Sequence, residues 1–237
     1  MNWLKKQSRI AALLYFVSCL PAPFALLYVP SVLIVRGDAA ATAGNVRDSE
    51  GLLRLGMAVE LFSATVVIFA VLAFYRLFKG VSHKHAVAML ILFLLSIPIS
   101  YVNVLNDFAA LTFARGPAFL STVFNRAQLD ALVLFFLRLH NQGVILAQIF
   151  WGLWLFPFGI AVMRSGFIPR FVGIATITAG CGYVISSSVS LFLPPSAQGL
   201  ADVAMILGIG ELAFFWMLIC GAKNQPGRQP VPVPAAT

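Results

Sequence analysis

Residues 52–78, LLRLGMAVELFSATVVIFAVLAFYRLF, decide the fold. Between Arg54 and Arg76 the only charged side chain is Glu60. A helix of that length, at about 1.5 Å per residue, is as long as the hydrocarbon of a bilayer is thick. Five further apolar runs resemble it: Ile10–Val35, Ala86–Asn106, Gly143–Met163, Phe171–Leu193 and Leu200–Cys220. Pro21, Pro23 and Pro98 lie inside such runs and predict kinks, because a proline removes a backbone donor and clashes with the preceding turn. The expected fold is therefore all-α, a polytopic bundle of six spans with short extra helices in the outer loops.

Composition agrees. The 237 residues are 60% hydrophobic and 10% charged, with a mean hydropathy of +0.93. A soluble domain carries about 25% charged residues. A soluble enzyme, a disordered chain and a nucleic-acid binder are all excluded on that ground, and the net charge of +8 needs another explanation. Topology supplies it. Lys5, Lys6, Arg9, Arg76, Lys79, Lys84, Arg164, Arg170, Lys223 and Arg228 fall on one side, with no acidic residue among them. Arg36, Arg47, Arg54, Arg115, Arg126 and Arg138 fall on the other, balanced by Asp38, Asp48, Glu50, Asp107, Asp130 and Asp202. The positive-inside rule puts both termini in the cytoplasm.

Lys5, Lys6 and Arg9 before Ile10–Val17 resemble the start of a signal peptide, and Phe16–Cys19 approaches a lipoprotein box. The apolar run continues to Val35, so a retained first helix is expected. Cys19, Cys181 and Cys220 form no CxxC pair and read as small buried hydrophobes. One membrane domain is expected over 1–222, with a disordered cytoplasmic tail over 223–237 that is rich in proline, glutamine and glycine.

The outer loops carry helix signals. Asp38 precedes an alanine-rich stretch as an N-cap. Asn125 with Gln128 resembles a capping box. A single helix from Arg126 to Met163 would be about 57 Å long, nearly twice the hydrocarbon thickness. A break is therefore expected at His140-Asn141-Gln142-Gly143, leaving 125–140 interfacial, re-entrant or part of the fourth span.

Ionisable and amide side chains within spans mark function by default, since lipid penalises them. Ser96, Ser100, Asn103 and Asp107 share one face of the third span. Glu60 lies in the second span, His140 and Gln148 in or beside the fourth, and Glu211 in the sixth. Glu60, Asn103, Asp107, His140, Gln148 and Glu211 are the candidate ligand-binding residues, lining a polar chamber open to the outer face above an apolar plug. The competing reading is packing: small and polar residues also hold spans together.

Enzyme motifs are missing: there is no GxSxG elbow, no HExxH and no P-loop lysine. His83 and His85 lie at the opposite end from His140, which excludes a bis-histidine haem. A divalent metal would require Glu60, Asp107, His140 and Glu211 to converge, and no spacing signature indicates that. No catalytic residue, metal ligand or cofactor is assigned.

Several phrases carry a family resemblance. They are Pro30–Ala43 with Ser49–Gly56, Leu139-His140 followed by Ala147–Pro157, and Arg164-Ser165-Gly166-Phe167-Ile168-Pro169-Arg170. The chain resembles domain-of-unknown-function family 4386, small bacterial inner-membrane proteins, over nearly its whole length. The resemblance implies one membrane domain of six or seven helices. It supplies no activity and no site residue. Three functions fit: binding or transport of a small solute or lipid through the chamber, a non-catalytic sensor or assembly partner, and an intramembrane lipid-modifying enzyme. The expected partners are membrane lipids and a small-molecule ligand, with no nucleic acid.

Overall fold

A computed structural model describes residues 3–223, and the expected tail falls outside the described residues from 224 onward. The chain is all-α, with no strand among the described residues. Six helical segments are long and apolar enough to cross a membrane: Trp3–Leu33, Glu50–Phe78, His83–Arg115, Arg126–Ser165, Arg170–Phe192 and Pro195–Ile219. Large apolar side chains stand exposed along them, among them Leu27, Phe69, Val102, Leu105, Ile174 and Ile209. In water such a surface would drive association, whereas in lipid it is the expected outer face.

Proline sets the breaks. The first span is α1 (Trp3–Cys19), a π-helical turn (Phe24–Tyr28) and α2 (Val29–Leu33), interrupted at Pro21 and Pro23. A short helix α3 (Ala39–Asp48) and the long α4 (Glu50–Phe78) follow. The third span divides into α5 (His83–Leu94) and α6 (Ser96–Arg115). After the one-turn α7 (Ala118–Ser121), the fourth span divides into α8 (Arg126–Leu153) and α9 (Leu155–Ser165). Leu94, Leu153 and Ser165 each end a helix four residues before a proline (Pro98, Pro157, Pro169), which has no amide hydrogen to continue the ladder, and Gly166 in the left-handed region caps the last of them. The fifth span is α10 (Arg170–Phe192). The sixth is α11 (Gln198–Ile206), a 3-10 stretch (Leu207–Leu212) and α12 (Ala213–Ile219).

The caps read from sequence form. Asp38 accepts from the Ala41 amide at 2.9 Å, and Asn125 and Gln128 make the reciprocal capping box at 3.0 and 2.9 Å. Gly116 closes α6 in the left-handed region at φ 58°.

Two expectations are corrected. The chain does not break at His140–Gly143: α8 runs through it unbroken from Arg126 to Leu153. The third span does not stop near Asn106 but continues to Arg115. The cause is the same. The far half of α6 and the near half of α8 pack along each other, with α3 laid across both. They bury Val104, Leu111, Val133 and Leu137 against Val29, Leu33, Val46, Leu53 and Met57. This second hydrophobic core supports helices longer than a bilayer requires. We call it the cap. Its charges pair locally: Asp130 with Arg47 and Arg126, each at 3.1 Å, and Glu50 with Arg54 and Arg115.

The main core occupies the other end. Trp154 is fully buried, ringed by Tyr15, Phe74, Phe93, Phe158 and Phe214 at centroid distances of 5.1–6.3 Å. Backbones approach closely through glycine: a Cβ on Gly159 would lie 2.6 Å from the Gly173 carbonyl, and one on Gly152 2.8 Å from the Gly180 carbonyl. Small residues serve this purpose where lipid gives no hydrophobic drive between helices. At the end remote from the cap, the Ala222 amide donates to Ser8 and the Lys223 amide to the Phe167 carbonyl, each at 2.7 Å. The basic residues near 5–9, 164–170 and 223 therefore gather at one end.

Candidate functional site

Between the two cores lies a buried polar joint. Glu60 comes from α4, Asp107 from α6 and His140 from α8. Along their helices they sit about 15, 12 and 21 Å from the cap-side ends Glu50, Arg115 and Arg126, at about 1.5 Å per residue. His140 Nε2 is 3.1 Å from Glu60 Oε1, and Nδ1 is 3.1 Å from Asp107 Oδ2. One donor atom from each residue lies within 4.8 Å of the others. The side chains are 12% (His140), 16% (Glu60) and 8% (Asp107) exposed.

The surroundings hold the histidine in place. Asn103, one helical turn from Asp107, donates its amide to the His140 carbonyl at 2.9 Å. Asn106 donates to Asn103 Oδ1 at 2.9 Å. Gly143 makes room: a Cβ there would stand 2.1 Å from Asn103 Oδ1. The sequence His140-Asn141-Gln142-Gly143, expected to break the helix, instead brings α8 against α6 so that the amide reaches a backbone carbonyl.

The electrostatics are unbalanced. Two carboxylates share one imidazole, and among the described residues no lysine or arginine is within ion-pair distance of either. A neutral imidazole has one N–H and can serve one carboxylate only. Nδ1, though close to Asp107, is a buried atom without an aligned hydrogen bond. A second proton or another cation is needed to satisfy both sides.

Gln148 and Glu211 are elsewhere. Gln148 Nε2 is 3.0 Å from the Met205 sulfur, between α8 and α11. Glu211 lies in the 3-10 stretch and accepts from the Tyr15 hydroxyl at 2.9 Å and the Tyr183 hydroxyl at 3.1 Å. Four of the six candidates thus meet and two do not. Of the four, Asn103 also lines a groove of about 640 Å³, formed by Pro98, Ile99, Val102, Leu139, Leu146 and Leu191, with Asn106, Gln142 and Gly143 along its side. The chemistry it presents is mostly apolar.

Sequence reasoning missed Tyr15 as the partner of Glu211. A signal existed: Ser8, Ala11, Ala12, Tyr15 and Ser18 follow helical spacing on one face of the first span, and all are buried.

The family described as Domain of unknown function (DUF4386) matches residues 10–221. The chain belongs to this family. A curated relative, an uncharacterized protein of Archaeoglobus fulgidus, is 34% identical over 80 residues, which is 33% of this chain and 46% of that protein. The chain spans about half the length of that relative. No solved structure matches. The DUF4386 chain is a helical bundle with six helices, among the described residues, long and apolar enough to cross a membrane.

Proposed function

We propose that this multi-pass membrane protein binds a small polar solute at the joint between cap and bundle, through Glu60, Asp107 and His140 with Asn103 beside them. The supporting observation is their convergence. Three ionisable side chains from three spans lie together with no lysine or arginine within ion-pair distance among the described residues, in a chain that has only 8 acidic residues. Intramembrane charge is costly and is retained where it acts. The excess of carboxylate over imidazole favours a cationic solute over an anionic one. Lipids are the expected surroundings, and the apolar groove beside Asn103 suits an acyl chain.

The same reading places the protein in a bacterial inner membrane, with both termini in the cytoplasm and the cap outside. The gathering of basic residues at the end remote from the cap supports that orientation. Its test is single-cysteine labelling in intact cells: Thr122→Cys in the cap should react with a membrane-impermeant maleimide.

The binding test uses purified full-length protein in detergent and a thermal-shift panel of amines, amino acids, sugars and divalent metal chlorides. At least one should stabilise the wild type. Glu60→Gln and Asp107→Asn should lose that shift, while Glu50→Gln in the cap keeps it. A panel with no shift, or a shift preserved in both variants, overturns the proposal. A second reading, acid–base chemistry on a lipid, is favoured by one observation: Asp107 and Glu60 both lie 3.1 Å from His140, within the reach such chemistry requires.

A further inference from the structure

We propose that Glu60, Asp107 and His140 form a binding site for a divalent first-row transition cation of the zinc class. The inference rests on the reading above that this joint takes a solute, and it names the chemical class.

The donor set argues first. Two carboxylates and one imidazole suit zinc, manganese, iron, cobalt or nickel. Calcium and magnesium prefer oxygen donors alone. Copper(I) prefers sulfur, and no cysteine belongs to this cluster.

Spacing argues second. With metal–ligand bonds of about 2.0–2.2 Å, neighbouring donors around a cation stand roughly 3 Å apart and opposed donors roughly 4 Å apart. The two 3.1 Å separations run to different ring nitrogens, of which a cation takes one; one 3.1 Å edge, with the third donor inside the 4.8 Å limit, closes to such a set by side-chain rotation. Charge argues third. A divalent cation cancels both carboxylates, and the imidazole can then stay neutral, binding through one nitrogen and keeping its proton on the other. The buried Nδ1, close to Asp107 yet without an aligned hydrogen bond, is the atom that such an arrangement would use or orient.

Support around the donors argues fourth. Asn103 fixes the backbone of His140 from the neighbouring helix, and Asn106 fixes Asn103. Metal sites depend on such outer partners. Three protein donors also leave coordination positions free for water or a second ligand.

The test is isothermal titration of chelator-treated, full-length protein with zinc chloride, using a purification tag without histidine. His83→Ala/His85→Ala serves as the background, to remove the histidine pair at the opposite end. The expected result is saturable binding of about one zinc per chain. Glu60→Gln, Asp107→Asn and His140→Gln should each weaken it at least about tenfold, and Glu211→Gln should leave it unchanged. Size-exclusion profiles identify any variant that fails to fold. Glu60→Asp, which keeps the carboxylate and shortens its reach, keeps the test open should the others misfold, and it should weaken zinc binding. No saturable binding tighter than about 1 mM, or binding unaffected by all of these substitutions, overturns the metal assignment. If zinc fails while another panel solute still gives a shift dependent on Glu60 and Asp107, only the metal falls and the proposed binding function stands.

Discussion

Deleting the imidazole of His140 isolates what the polar joint contributes. His140→Ala leaves two carboxylates, 16% and 8% exposed, facing each other without a counter-charge. Opposite unit charges about 4 Å apart attract by about 4 kcal/mol at an effective dielectric of 20. Removing one member of a buried pair typically costs about 3–5 kcal/mol, because the survivor stays buried and unpaired. Partial exposure puts this site at the lower end. His140→Ala should cost about 3 kcal/mol, and Asp107→Asn about 2 kcal/mol, since Glu60 still faces the ring. The double variant should cost about 3 kcal/mol rather than 5, because it removes the stranded Asp107 charge together with its partner. The coupling of about 2 kcal/mol falls in the range for groups in contact. The measurement is equilibrium unfolding in mixed micelles with rising dodecyl sulfate, in chelator, followed by tryptophan fluorescence. Additive costs within about 0.5 kcal/mol would show that the two residues do not interact, and the geometry of the joint would be wrong.

Three further outcomes follow from packing. Gly159→Ala drives a Cβ to 2.6 Å from the Gly173 carbonyl, where backbone cannot yield, and should cost about 2–3 kcal/mol in the same assay; Gly51→Ala, on α4 with nothing within 4 Å, should be neutral or stabilising by up to about 1 kcal/mol. Trp154→Ala should cost about 3–5 kcal/mol, but Trp154→Phe distinctly less, because the indole Nε1 is buried without a hydrogen-bond partner and its loss relieves part of the cost. Asp130→Asn should loosen the cap, read as faster deuterium exchange in α3 and the start of α8, because Arg47 and Arg126 both converge on that buried carboxylate.

The fold was legible where a single element announces itself. Six apolar runs, the prolines that end helices four residues upstream, the Asp38 cap and the Asn125–Gln128 box are local signals, and each appears in the structure. What could not be read was the cap. Its helices are too long for a bilayer when each is judged alone, and that length by itself predicts a break at His140–Gly143. The length is explained only by partners distant in sequence, with Val104 and Leu111 meeting Val133 and Leu137. Gly143, taken as a helix breaker, is instead the contact residue that admits Asn103. The same residue type signals a turn or a close approach, and the choice depends on a neighbour that local sequence does not contain.

Glu60 and Glu211 show the same limit at the site. In sequence they are equivalent: each is a carboxylate within an apolar span, with small residues on the same face. The structure separates them by their partners. Glu60 meets a histidine that also meets a second carboxylate, which leaves the cluster short of positive charge. Glu211 meets two tyrosine hydroxyls that both donate to it, so each carboxylate oxygen is already satisfied. A carboxylate with its acceptors filled by neutral donors ties α1, α10 and the sixth span together. One that shares a single imidazole with a second carboxylate still has capacity for a cation. That difference in remaining capacity, and not depth in the membrane or charge alone, is what sets Glu60 apart from Glu211 as the residue at which the proposed binding is tested.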